Sequence, residues 1–180
     1  MEDYIYTSYD VAIINTIETV QFDIKYRFMQ EIERFYQDPV FRNGTSCIPV
    51  MYDRTGSLEL AFKPYLKQEG RVYTFGGIID GNNIPYTPYY SMFSDKPMSP
   101  RYVFDQFYYL GKHGADIIKT TTVDGKEHKE ELWTAPTTRP TPSYAMTKWW
   151  NKEYKHTIKF ILLQELRKAM AQNKTLLKKG

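Results

Sequence analysis

The segment from Tyr9 to Tyr36 constrains this chain's fold more than any other, because two periods that belong to different secondary structures run through it together. Ile13, Ile17, Val20, Ile24, Phe28, Ile32 and Phe35 recur at steps of three and four, the spacing of one stripe on a helix. Val20 to Phe28 also alternates apolar and polar without a fault, and it is rich in residues that favour strands. The pattern predicts a helix over 9–19, a strand over 20–26 and a second short helix over 28–37, with a single long helix as the alternative. Asp38-Pro39 ends the run in either case, since a residue before proline is pushed out of the helical region.

At 180 residues, with 42% hydrophobic and 25% charged side chains, the chain has the make-up of a single folded domain over 1–180 rather than of a disordered segment. One cysteine, Cys47, rules out an internal disulfide framework and any four-cysteine zinc site, and it reads as a small buried hydrophobe. No apolar run approaches the roughly 18 residues of a membrane span, and Met1-Glu2-Asp3 lacks the basic-then-apolar start of a signal peptide, so a soluble, cytoplasmic protein is expected with no membrane partner. The net charge of +3 conceals an asymmetry. Nine basic and two acidic residues leave Lys148–Gly180 at +7, and the preceding body is therefore at −4. Aromatic residues make up 16% of the chain, Tyr 16 and Phe 10 among them, which suits a small core or an interface.

The middle of the chain reads as hairpins. Ile48–Tyr52 and Leu58–Phe62 are short apolar runs joined by a turn at Asp53–Ser57, and Val72–Ile79 leads into the turn cluster Asp80-Gly81-Asn82-Asn83. The clearest hairpin is 117–133. Asp124-Gly125 supplies the two positive-φ positions of a type I′ turn, so Val123 faces Lys126 and Lys119 faces Glu130. Its middle is polar on both faces, so its tip is expected to project into solvent or onto a partner. Residues 84–100 carry four prolines together with Tyr86, Tyr89, Tyr90 and Phe93, a long loop with adhesive side chains. Ser99-Pro100 caps a helix that Gly111 stops, with Val103, Phe104, Phe107 and Tyr108 facing inward. An extended connector follows over 134–142, then a basic C-terminal helix over 151–172, capped by Asn151 and striped by Tyr154, Ile158, Ile161, Leu162, Leu166 and Ala169. The expected fold is α+β: a small antiparallel sheet packed by N-terminal and C-terminal helices, with a projecting β-hairpin.

Motifs for catalysis are missing from the sequence. It has no phosphate loop, no nucleophile elbow and no His-Glu-x-x-His helix, and Gly76-Gly77 is not followed by a helix. His113, Asp116 and His128, with Glu127, Glu130 and Glu131, resemble a metal cluster in composition only. Neighbours on a strand point to opposite faces, so Glu127 and His128 cannot both aim at one ion. His156 stands among Lys155 and Lys159, which suits neither a ligand cluster nor a triad. The expectation is no catalytic residue, no metal ligand and no cofactor.

Two kinds of contact surface remain. The proline-rich loop residues Tyr86, Tyr89, Tyr90 and Phe93, with Lys119, Lys126 and Glu130 on the hairpin, are candidates for an oligomer or partner interface. Lys148, Trp149, Trp150, Lys152, Lys155 and Lys159 combine stacking surfaces with cations, the recipe for holding a nucleic-acid strand. Against that use, the pI of 8.7 is below the value above about 9 typical of a committed binder.

The order of features resembles a family. An N-terminal helix and strand, then Ile48-Pro49-Val50-Met51-Tyr52, then Pro142-Ser-Tyr-Ala-Met-Thr-Lys-Trp-Trp150 running into a helix with Tyr154, Ile158 and Ile161, looks like the layout of tail-terminator or neck proteins of tailed bacteriophages. The resemblance implies a small α+β domain that forms a ring, commonly of six copies, where a tail tube meets the head. It implies a virion structural protein without enzymatic activity, whose partners are its own copies and other tail or neck proteins. A small nucleic-acid-binding accessory protein is the alternative.

Overall fold

The computed structural model describes residues 2–37, 57–70, 72–84, 99–112, 117–134 and 137–177. Helix α1 is continuous from Glu2 to Tyr36. The expected strand over 20–26 does not form, and the reason lies in which residues are covered. Ala12, Thr16, Val20, Ile24 and Phe28, each four apart, are all buried, whereas Phe22 and Tyr26 are 67% and 55% exposed. Every second apolar residue of the alternating run thus lies on the helical stripe. The others stack on each other in water, their ring centroids 6.2 Å apart.

The protein is α+β, and its chain divides into two compact units, 1–27 with 64–78 and 147–180, and 28–63 with 79–146. In the first, the start of α1 packs antiparallel to the C-terminal helix α4 (Ile158–Leu177) and the residues before it. Asn173 Nδ2 donates to Ser8 Oγ at 2.7 Å, Asn15 Nδ2 donates to Glu165 Oε2 at 3.2 Å, and Tyr154 Oη donates to Asp23. As one partner climbs from 8 to 23 the other descends from 173 to 154, which is the signature of two antiparallel rods. Ala12, Ile17, Val20, Ile24 and Ala169 form the covered seam. Most of the hairpin β1 (Phe62–Glu69) and β2 (Val72–Ile79) belongs here, with Gly70 at φ +60° in its turn and Gln21 Nε2 donating to Tyr65 O at 2.9 Å. Leu58, expected to start a strand, instead lies buried in a 3₁₀ turn, Ser57–Ala61. The partner run Ile48–Tyr52 lies outside the described residues.

The second unit has an aromatic core. Helix α2 (Pro100–Tyr108) begins as expected, with Ser99 Oγ accepting from the Tyr102 N–H and proline at the first position. It buries Phe104, Phe107 and Tyr108. Phe107 meets Phe35 edge to face at 4.8 Å, and Tyr108 meets Phe28 edge to face at 6.0 Å. Such pairs add about 0.5–1.5 kcal/mol each to the burial of the rings. Gly81 packs so tightly on Phe104 that a Cβ there would fall 2.5 Å from the phenylalanine Cβ. Gly111 stops the helix region at φ +65° and passes its carbonyl to Thr138 N at 2.7 Å, and Lys112 bridges to Thr137.

The hairpin of β3 (Ile117–Val123) and β4 (Lys126–Trp133) has the register read from the sequence, with Val123 opposite Lys126 and Lys119 opposite Glu130. Asp124 and Gly125 sit at φ +52° and +72°. All residues from Thr120 to Glu131 are exposed.

The C-terminal helical region departs from expectation. It starts at Pro142, not Asn151, because Thr141 Oγ1 caps the Tyr144 N–H and proline suits the first position, giving α3 (Pro142–Lys148). Asn151 is no cap; it lies inside a wide π-helical stretch, Trp149–Tyr154, in which the Lys155 N–H reaches back five residues to Trp150 O. A 3₁₀ turn at Lys155–Thr157 then leads into α4.

Candidate functional site

The π-helical stretch positions the most organised aromatic group on the first unit. Residues five apart lie on different sides of an α-helix, but the wider turn brings them close to overlap. Trp149 therefore stacks on Tyr154 with centroids 4.5 Å apart and planes 27° from parallel, and Trp150 lies 5.9 Å from the same ring. Burial pushes the Tyr154 phenol well above its ordinary range, and its hydrogen bond to Asp23 and that carboxylate's charge push in the same direction. Both tryptophans are half-buried. Around them Lys148, Lys152, Lys155 and Lys159 are all exposed, at successive steps of four, three and four along the helical run. The structure thus gathers all six residues proposed for nucleic-acid contact on one stretch, but Trp149 already spends a ring face on Tyr154.

The first unit also leaves large apolar side chains uncovered. Phe22 and Tyr26 on α1, Ile14 about two and three turns before them, and Phe160 and Leu163 on α4 are exposed, Phe160 to 69%. Isolated exposed apolar residues are ordinary, yet these five, with Tyr9 also exposed on α1, on a two-helix pair whose covered seam holds three alanine-to-valine-sized side chains and two isoleucines are a poor balance for a lone unit.

Of the loop candidates, Tyr86, Tyr89, Tyr90 and Phe93 lie outside the described residues. On the hairpin Lys126 and Glu130 are exposed, and the backbone of Lys119 stands opposite Glu130. His113, Asp116 and Cys47 lie outside the described residues; Glu127, His128, Glu130 and Glu131 are exposed along β4, and no group of three metal-ligating side chains converges among the described residues.

Two charged clusters in the second unit went unseen in the sequence. Arg101 bridges two carboxylates, Nη1 to Asp80 at 3.0 Å and Nε to Asp105 at 2.9 Å. The Asn82 backbone N–H holds the Asp80 carboxyl below its usual range, with Arg101 adding to the effect. With one guanidinium tying two carboxylates together and Asp80 capping a turn, this cluster is a clamp between the 81–83 turn and α2. Glu31 is 2% exposed, and Arg34 pairs with it at 2.7 Å while donating to Pro140 O at 2.9 Å. Only the i, i+3 spacing of Glu31 and Arg34 was available as a signal.

Among the described residues no helix is long and apolar enough to cross a membrane. No family model, curated protein or solved structure matches this chain.

Proposed function

We propose that this chain is a non-enzymatic assembly subunit that works as an oligomer of its own copies, of the kind found at the neck or tail terminus of tailed-phage virions. The observation that carries the reading is the uncovered apolar surface of the first unit, Phe22, Tyr26 and Ile14 on α1 with Phe160 and Leu163 on α4. A second copy would bury these side chains at about 25 cal/mol per Å² removed from water. The acidic body and basic C-terminal segment give copies unlike surfaces to set against each other. Sedimentation at micromolar concentration tests the proposal. A discrete oligomer that Phe22→Glu or Phe160→Glu reduces in mass supports it, and a wild-type monomer that joins no particle ends it.

The exposed ridge Lys148, Lys152, Lys155, Lys159 supports a second reading, a small nucleic-acid-binding accessory protein. Binding would then fall steeply with salt, and replacing two of the lysines by Gln would lower that slope by about two. No retention of DNA or RNA at low salt would exclude it.

A further inference from the structure

We infer that the open edge of β4 is a self-recognition surface, at which Lys126–Glu130 pairs antiparallel with the same five residues of a second copy about a two-fold axis through His128. The inference deepens the assembly reading, since it names one of the contacts that copies of this chain would use.

The β3–β4 ribbon is polar on both faces along its middle. The sheet has two strands among the described residues, and every side chain from Thr120 to Glu131 is exposed. A two-stranded hairpin is marginal on its own and becomes stable when further strands or a helix cover it. Each of its outer edges also carries a row of backbone groups able to pair with another strand.

Register follows from the turn. A two-residue type I′ turn closes on a hydrogen-bonded pair, here Val123 and Lys126. Hydrogen-bonding pairs alternate along an antiparallel ladder, so Lys126, His128 and Glu130 direct their backbone groups at β3. Glu127, Lys129 and Glu131 direct theirs at the open edge. A symmetric partner must set edge-facing residues against edge-facing residues, which restricts the two-fold axis to a residue position and forbids the points between residues.

Charge then chooses among the permitted axes. With the axis at Glu127, that glutamate meets its own copy. With the axis at Lys129, that lysine meets its own copy and Glu127 meets Glu131. With the axis at His128, Glu127 meets Lys129 and Lys126 meets Glu130, each pair occurring twice, so all four charged pairs are opposite in sign. The sequence Lys-Glu-His-Lys-Glu reads as its own charge complement when reversed. Within the hairpin Glu127 and Lys129 face Thr122 and Thr120, so β3 does not neutralise them. The edge of β3 has no comparable pattern, because Thr120, Thr121 and Thr122 would face one another. The occupant is therefore a second copy of β4.

Charge reversal and cross-linking test the inference on the full chain. Glu127→Lys and Lys129→Glu each turn two attractive pairs repulsive, and each is expected to weaken self-association at this contact by roughly tenfold or more. The double variant restores it, and the two single variants mixed together associate with each other although neither associates with itself. These positions are exposed, so circular dichroism should match wild type. In a Cys47→Ser background, His128→Cys should oxidise readily to a covalent dimer, since residues facing each other at a non-hydrogen-bonded position are about 4.5 Å apart at Cα, within disulfide reach. Glu127→Cys should not, because its copy lies on the order of 8 Å away. An oligomer whose mass is indifferent to both reversals, and a His128→Cys variant that cross-links no faster than Glu127→Cys, would overturn this contact and leave the assembly reading standing. A His128-linked dimer that obeys the reversals while Phe22→Glu and Phe160→Glu change nothing would do the opposite.

Discussion

Tyr154 donates its phenolic hydrogen to the carboxylate of Asp23, joining two residues 131 positions apart across the antiparallel helices of the first unit. A hydrogen bond to a charged acceptor contributes about 1.5–3 kcal/mol when well buried and less when water can reach it. Tyr154→Phe is expected to lower stability by about 1–2 kcal/mol. Asp23→Asn should cost less than an additive amount when combined with it, because both changes break one contact. Urea unfolding followed by tryptophan fluorescence measures both.

Alkaline pH should find the same residue. Burial holds Tyr154 and Tyr108 above the ordinary tyrosine range, with Asp23 contributing at the first and Tyr109 and Glu31 at the second. Groups raised in the folded state supply stability that is intact below the unfolded value of about 10 and is lost as pH climbs beyond it. The urea midpoint should therefore drop between about pH 10 and 11.5, and Tyr154→Phe with Tyr108→Phe should flatten that drop.

Helix and strand readings of the 20–28 segment differ in which aromatic matters. Phe28 is fully buried and Phe22 mostly exposed. Phe28→Ala should cost about 3–5 kcal/mol, and Phe22→Ala about 0.5 kcal/mol or less in the dissociated chain. An extended strand over the whole alternating run, beyond the 20–26 expected from the sequence, would have placed both on one face with similar losses.

Three glycines separate strain from collision. Gly125→Ala meets a positive φ in open space and should cost about 1 kcal/mol. Gly111→Ala meets a positive φ and a Cβ 2.5 Å from Thr138 O, and should cost more. Gly76→Ala meets neither and should be nearly neutral or slightly stabilising in thermal melts.

Local chemistry made part of this fold legible. The Asp124-Gly125 turn, the Ser99-Pro100 cap and the left-handed Gly111 were readable because each is fixed by a few adjacent residues. The strand over 20–26 was misread because apolar residues at every second position contain a subset at every fourth, and only burial tells which subset is used. The start at Pro142 was hidden by neighbouring prolines, which suit an extended connector as well as a helix entrance. Of the proposed contact residues, the lysine spacing from 148 to 159 was visible in advance. The stack of Trp149 on Tyr154 was not, since it depends on a widened turn that propensity does not signal.

That widened turn is the place where the segment can lose a residue. The wide turn holds one residue more than the α-helical turn it replaces, so deleting a single residue between Trp149 and Tyr154 would let a regular α-helix form with the flanking residues near their present register. Ala169 would keep its covered position, and what would be lost is the overlap of Trp149 with the ring now five residues on. Substitutions at the exposed Asn151 or Lys152 carry no such penalty. Descendants of this sequence should vary freely in which polar residues occupy the turn, and a one-residue gap there in an alignment would mark loss of the aromatic stack with the helix kept.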